Sequence, residues 1–204
     1  KTLVIGFLFL GAGMPAFSQQ VPPKDVAEQF GRLWVQDKGG RYEPLNTLSR
    51  EVVRKITKKN SYQTYTADQV MLGLILYPDF WQAQPLFKVK NAELHKIVGF
   101  KGEIISFNDL MDPVRGTYLL SDLVNAAYSK EVASQNDLDK EVIKLDDRIN
   151  AMYLVQSGGL ITIFPDPKSG NHKWQSVSEA LSGRTEHDHG SISDLFLHYL
   201  EDIR

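Results

Sequence analysis

The sequence predicts a helix-rich α+β domain with short strands, preceded by one signal-like or transmembrane helix. The prediction rests on an apolar stripe with spacings of three and four residues over 136–156, short apolar runs bounded by turn residues, and an uncharged N-terminal segment. The chain has 204 residues, 42% hydrophobic and 24% charged, as in globular proteins. We expect residues 1–20 to form the apolar segment and residues 21–204 to form one domain.

The apolar segment is "TLVIGFLFLGAGMPAF", residues 2–17, which contains no charge. As a helix it would span about 24 Å, less than the ~30 Å hydrocarbon core of a bilayer. Ala16-Phe17-Ser18 matches the small-x-small pattern of a signal-peptidase site, whereas apolar residues upstream of Lys1 would extend the segment into a membrane span. Both alternatives leave Lys1 in the cytoplasm and export the chain after Gln20.

The segment "LWVQDKGGRYEPLNTLSREVVRKI", residues 33–56, predicts a hairpin followed by a helix. Paired glycines tolerate the positive φ angles of a tight turn, and Pro44 ends the return strand. Asn46 or Thr47 is expected to cap the helix. The predicted helix has an apolar stripe of Leu48, Val52 and Ile56 and a basic side of Arg50, Arg54, Lys55, Lys58 and Lys59.

A docking surface is one possible function of this segment. Arg41, Arg50 and Arg54 carry planar guanidinium groups suited to carboxylates on a partner domain or to haem propionates, and Gln36 and Asp37 flank the turn. The alternative is that Gln36, Asp37 and Arg41 only hold the hairpin together. The sequence leaves both readings open.

Capping residues and apolar runs predict the other elements. Thr66 and Gln69 form a capping-box pair before an apolar helix that Pro78 ends, and Pro23 can start a short helix before the hairpin. The remaining predicted elements are a strand over 86–89, a helix over 92–98, a strand before a helical turn capped from Ser106, helices over 121–129 and 136–156, a strand over 160–166, and helices capped by Ser176 and Ser191.

Composition excludes several functions. The net charge of −2 and the lack of a basic patch with interleaved aromatic residues argue against nucleic-acid binding. The chain has no cysteine, which removes disulfides, thiolate metal sites and thiol nucleophiles. No Gly-rich phosphate loop, nucleophile elbow or HExxH motif occurs. We therefore assign no catalytic residue.

The sharpest metal candidate is the pair His187 and His189 in "EHDH", whose spacing permits chelation in a strand or a loop. Two ligands do not make a site, so no metal residue is assigned. The remaining candidates are more simply explained as structural or solvated groups: His95, His172 and His198 as single histidines, Asp146 and Asp147 as solvated mid-helix acids, and Trp34, Trp81 and Trp174 as core anchors rather than planar-ligand contacts.

Three blocks together carry a family resemblance: residues 33–56, "TADQVMLGLILYPDFWQAQPLFKV" and "KEVIKLDDRINAMYLVQSGGLITIFPDP". They resemble the periplasmic region of the fused ResB/CcsA type of cytochrome c biogenesis protein. That family exports haem and joins it covalently to the two thiols of a CxxCH motif in apocytochromes. Its haem-ligand histidines and tryptophan-rich loop belong to the membrane-embedded CcsA part and are absent from this chain.

The resemblance implies a scaffolding or docking role at the inner membrane. The expected partners are a CcsA-type membrane core, apocytochrome c and the membrane itself through the N-terminal helix. Haem would be handled by the parent protein, with no haem site assigned to this chain. The alternatives are a freestanding secreted binding module and a metal-dependent enzyme that uses His187 and His189.

Overall fold

A computed structural model of the chain describes residues 20–166, 169–170, 172–182 and 192–204. It confirms a helix-rich α+β fold with short strands. The elements are α1 Lys24–Phe30, β1 Trp34–Gln36, β2 Tyr42–Pro44, α2 Leu45–Thr57, α3 Ala67–Leu76, α4 Pro78–Gln82, β3 Phe87–Lys88, α5 Ala92–Val98, β4 Ile104–Ile105, α6 Ser121–Tyr128, α7 Asp137–Gln156, β5 Thr162–Pro165, β6 Trp174–Ser176, α8 Val177–Ser182 and α9 Ile192–Asp202.

The strands of the described ranges form three two-stranded antiparallel sheets: β1 pairs with β2 and β5 with β6 as hairpins, and β3 pairs with β4 across the intervening helix α5. In the first hairpin Val35 lies opposite Glu43 and Gln36 opposite Tyr42. The strands at 86–89 and 160–166 are shorter than predicted, and β6 was not predicted because three residues carry too little periodicity.

The core is built around α2, α3 and α7, which pack on one another. Helix α3 is buried on nearly all sides, as its continuous apolar sequence predicts. Gly73 lets the fully buried Trp81 approach this helix, because a Cβ atom at Gly73 would lie 2.2 Å from Trp81 Nε1. The apolar stripe of α7 faces the same core through Val142, Leu145 and other buried residues.

Capping signals in the sequence located two helix starts correctly. Thr66 and Gln69 form the predicted capping box of α3, and the hydroxyl of Ser176 accepts from the N–H of Glu179 at 3.2 Å at the start of α8. The start of α2 was predicted wrongly. That helix begins at Leu45 without a side-chain cap, because the N–H groups of Leu45 and Asn46 donate to backbone carbonyls of the α1–β1 segment at 2.7 and 2.8 Å.

Two features of α7 also correct the sequence analysis. Asp146 is half-buried and accepts a hydrogen bond from Tyr118 Oη at 3.2 Å, whereas it was predicted to be solvated. Burial is the main reason that the pKa of Asp146 lies above its ordinary value, and Asp147 adds to the increase. Arg148 is buried and is discussed below.

None of the helices in the described part of the chain combines the length and the apolar character needed to cross a membrane. The predicted apolar helix at residues 2–17 lies outside the described residues, so the preceding helix in the fold prediction gains no support. His187, His189 and the capping residue Ser191 also lie outside them.

Candidate docking groove

The turn of the first hairpin is organised around the carboxylate of Asp37. Its Oδ1 accepts from the N–H groups of Gly39 and Arg41 at 2.8 and 2.9 Å. Its Oδ2 accepts from Nε and Nη2 of Arg41 at 2.8 and 2.7 Å. The backbone N–H of Arg41, followed by its guanidinium, lowers the pKa of Asp37. The Arg41 side chain therefore forms an ion pair within the turn, although it is 83% exposed.

Gln36 lies at the junction of two hairpins and is only 8% exposed. Its Nε2 donates to the carbonyls of Gly40 and His172, at 3.2 and 3.0 Å, and its Oε1 accepts from the N–H of Trp174 at 2.7 Å. The hydroxyl of Thr162 donates to the backbone carbonyl of Gln36. We call these contacts the Gln36 clip. The clip fixes hairpin β1–β2 against hairpin β5–β6, so Gln36 is an internal group and not a surface contact.

The clip closes one side of a cleft, which we call the groove. Its volume is about 970 Å³. The turn of β1–β2, one face of α2, one face of α7 and hairpin β5–β6 form its walls. Its apolar lining includes Val35, Leu48, Val52, Ala151, Leu154, Leu160 and Trp174, and its charged lining comprises Asp37, Lys38, Glu43, Glu51, Lys55, Asp147, Lys173 and Glu179.

Apolar side chains on the hairpin side of the groove are only partly covered. The Trp174 ring packs against Tyr42, with their centroids 5.0 Å apart, and Trp174 itself is half-buried. Leu154 and Leu160 are also only half-buried. The groove therefore leaves apolar surface accessible to a bound group, whereas a closed core would not.

The charges near the turn are predominantly negative. Glu43 is half-buried on β2, and no hydrogen bond or ion pair involving its carboxylate occurs among the described residues. Burial, then Glu51, then Asp37 raise the pKa of Glu43, while Arg41 lowers it. The Arg41 guanidinium thus interacts with three neighbouring carboxylates, those of Asp37, Glu43 and Glu51, and it is already bound to Asp37. An added cation would be stabilised at this end of the groove.

The structure separates the five residues predicted to form a docking surface. Gln36 and Asp37 line the groove. Arg50 and Arg54 are exposed on α2 and line a different hollow of about 760 Å³, which also contains Asp68. Arg50 and Arg54 therefore lie on the solvent-exposed side of α2, as is usual for the basic side of a single helix. Sequence analysis missed Glu43, Glu51 and Leu154, because only the folded chain brings α2, α7 and the hairpins together.

The three tryptophans were predicted to be core anchors, which is right for Trp81 alone. Trp81 is fully buried, whereas Trp34 is 58% exposed away from the groove and Trp174 is half-buried in the groove lining. His95 lies 2.9 Å from the Val89 carbonyl, and His198 pairs with Glu201 at 3.3 Å. No group of three His, Cys, Asp or Glu side chains that could hold a metal occurs within the described ranges.

The described lining of the groove contains no histidine, cysteine, methionine or tyrosine, which are the residues that hold haem iron in proteins. Its lysines could meet propionates, but its five carboxylates would repel them.

The fold and the groove define a helix-rich α+β domain with a cleft of the size of a peptide-binding site. No family model matches the chain. The chain is 35% identical to Protein NrfI of Wolinella succinogenes over 159 residues, which are 78% of this chain and 18% of that protein. The chain thus matches only a minor part of its curated relative. This comparison corrects the family drawn from the three sequence blocks: the similar protein it finds is Protein NrfI, not a protein identified as a ResB/CcsA fusion.

Proposed function

We propose that this chain is an extracytoplasmic docking domain that acts in cytochrome c maturation. In this proposal the groove receives a polypeptide segment of a partner, of which apocytochrome c is the foremost candidate. Haem is carried by other parts of the machinery, and this chain contributes no iron ligand. The domain acts on the periplasmic side of the bacterial inner membrane.

The groove is the observation on which the proposal depends. It joins exposed apolar surface to charged groups across four elements, and the Gln36 clip holds its walls together. Binding sites for polypeptides commonly combine an apolar floor with a polar rim. A scaffold with preformed walls loses less conformational entropy on binding than a flexible one.

The likeness to Protein NrfI over 78% of the chain supports the general role in cytochrome c maturation. Because the chain matches 18% of that protein, we further propose that the domain works as one part of a longer protein. A docking role is then complementary to chemistry carried out elsewhere in the same protein or complex.

A Leu154→Lys substitution tests docking against architecture. Leu154 is half-buried and lines the groove, so the domain should keep its fold while the groove loses apolar surface and gains a positive charge. If the groove docks a partner, covalent haem incorporation into cytochrome c, measured by haem staining in cells, should fall at least severalfold. The matched control is Tyr153→Lys, a substitution at the neighbouring exposed position of α7, outside the groove.

The proposal fails if Leu154→Lys and Tyr153→Lys cells contain the same amount of cytochrome c as the parent cells. A loss of cytochrome c that is matched by a large drop in domain melting temperature would also contradict it. That second result would mean that Leu154 contributes to the architecture alone.

A further inference from the structure

The charge of the groove suggests which kind of segment it binds. Its described lining carries five carboxylates and three ammonium groups, a net charge of −2. Two of these charges are already paired with each other, because Lys173 Nζ lies 3.9 Å from Glu179. Asp37 is paired with Arg41. The charged groups that remain are three carboxylates, Glu43, Glu51 and Asp147, and two ammonium groups, Lys38 and Lys55, so the unpaired part of the described lining keeps a net charge of −1.

Glu43 and Glu51 are two groove carboxylates that have no ion-pair partner among the described residues. They interact with each other and with the same guanidinium, which Asp37 holds in the turn. Glu43 is half-buried, so solvent stabilises its charge less than that of an exposed glutamate. A positively charged group from outside the chain would therefore be stabilised here by charge-assisted hydrogen bonds.

The rest of the groove lining is apolar. Leu48, Leu154, Leu160 and Trp174 line the groove together with the charged residues, and Leu154 and Leu160 are left half-exposed. A ligand that contacts only the carboxylates would leave this apolar surface exposed to water. Covering apolar surface contributes ~25 cal/mol per Å² in addition to the charge contacts.

We propose that the groove binds a basic, apolar segment of another protein, in which a lysine or arginine lies next to a leucine-sized or aromatic side chain. The cation binds between Glu43 and Glu51, and the apolar side chain packs against Leu154, Leu160 and Trp174. This inference rests on the proposed docking function and specifies the chemistry of the partner. The sequence predicted that Arg41 would bind a carboxylate, a negatively charged group, of the partner. This inference instead assigns the partner a positive charge.

Peptide binding to the full 204-residue chain tests the inference. The probes are three blocked octapeptides with alternating Lys and Leu, alternating Glu and Leu, or alternating Lys and Ser. Binding is followed by the ¹H–¹⁵N signal of the Trp174 indole, assigned by its absence in Trp174→Phe. We expect the Lys-Leu peptide to shift this signal, with a Kd at least tenfold lower than that of either other peptide. The buried Trp81 indole should not shift.

A Glu43→Gln/Glu51→Gln double variant should raise the Kd for the Lys-Leu peptide at least tenfold. The matched control, Glu93→Gln/Glu131→Gln, removes the same charge at exposed positions outside the groove and should change the Kd less than twofold. Melting temperatures of both variants, measured alongside, verify folding.

The inference is overturned if the Glu-Leu peptide binds as tightly as the Lys-Leu peptide, or if the control weakens binding as much as the groove variant. Equal binding of the Lys-Ser peptide would overturn its apolar part. Cytochrome c maturation in cells with the groove variant separates the two proposals. If maturation is normal although peptide binding is weaker, the proposed function is refuted and the binding chemistry of the groove is retained. If maturation is reduced, both proposals are supported.

Discussion

Arg148 should be a large determinant of stability although no carboxylate of the described residues pairs with it. It lies on α7, is 3% exposed, and points to the C-terminal end of α2. Its Nε and Nη2 donate to the Ile56 carbonyl at 3.1 and 2.7 Å, and its Nη1 donates to the Lys88 carbonyl at 2.8 Å. The guanidinium also lies over the Phe87 ring, 5.6 Å from its centroid. Burial lowers the pKa of Arg148, so the site stabilises this cation with backbone dipoles.

The expected loss follows from the two carbonyls. The buried Ile56 carbonyl left without a donor costs ~1–3 kcal/mol, and the carbonyl of the exposed Lys88, which water can reach, costs less, so the expected sum is about 2–4 kcal/mol. Arg148→Met removes the donors but also removes the cost of burying a cation, so we expect a loss near the lower end, about 2 kcal/mol. Arg148→Lys keeps a more strongly hydrated cation that reaches fewer acceptors, so we expect about 4 kcal/mol.

Urea unfolding of the full chain, followed through the fluorescence of the buried Trp81, measures these losses. The control is Arg54→Met, at an exposed arginine on α2, which should stay within ~0.5 kcal/mol of the parent. A lysine variant as stable as the parent would refute the reasoning, because it would mean that charge alone suffices. An unchanged methionine variant would mean that the carbonyls do not need Arg148.

Two further predictions concern packing and pH. Gly73→Ala should lower the free energy of unfolding by ~1–3 kcal/mol, because the new methyl group would lie 2.2 Å from Trp81 Nε1; an unchanged thermal midpoint would contradict the packing described. The Lys130 ion pair, with a backbone hydrogen bond, lowers the pKa of Asp139, so its stabilisation is present above pH ~4 and is lost as the pH falls further. Asp139→Asn should therefore flatten the fall in stability between pH 5 and 3 in urea titrations, and an unaltered slope would argue against this ion pair.

Local signals allowed most of the fold to be predicted. The Thr66 capping box and the four-three spacing of α7 act over a few residues, so their effects can be read in the sequence. The start of α2 could not be read in this way. Its first N–H groups bind carbonyls of Gly31 and Leu33, and no side chain near Leu45 reveals those acceptors.

The candidate site depended more on distant contacts. Gln36 was expected at the hairpin surface, yet its amide meets backbone groups 136 and 138 residues further along the chain. Arg148 follows the two acids of α7 that were predicted to be solvated. The backbone carbonyls that accept its hydrogen bonds lie 92 and 60 residues away in the sequence. Polar side chains buried by distant backbone groups leave no periodic pattern, which is why both roles were missed.

The Gln36 clip also makes the closed groove a late feature of folding. Its two amide contacts join Gln36 to His172 and Trp174, which lie 136 and 138 residues further along the chain. Contacts at such sequence separation form slowly, because the entropy of closing the loop is lost before the contacts are made. Until they form, hairpin β1–β2 is not fixed against hairpin β5–β6, and the side of the groove that the clip closes is not in place.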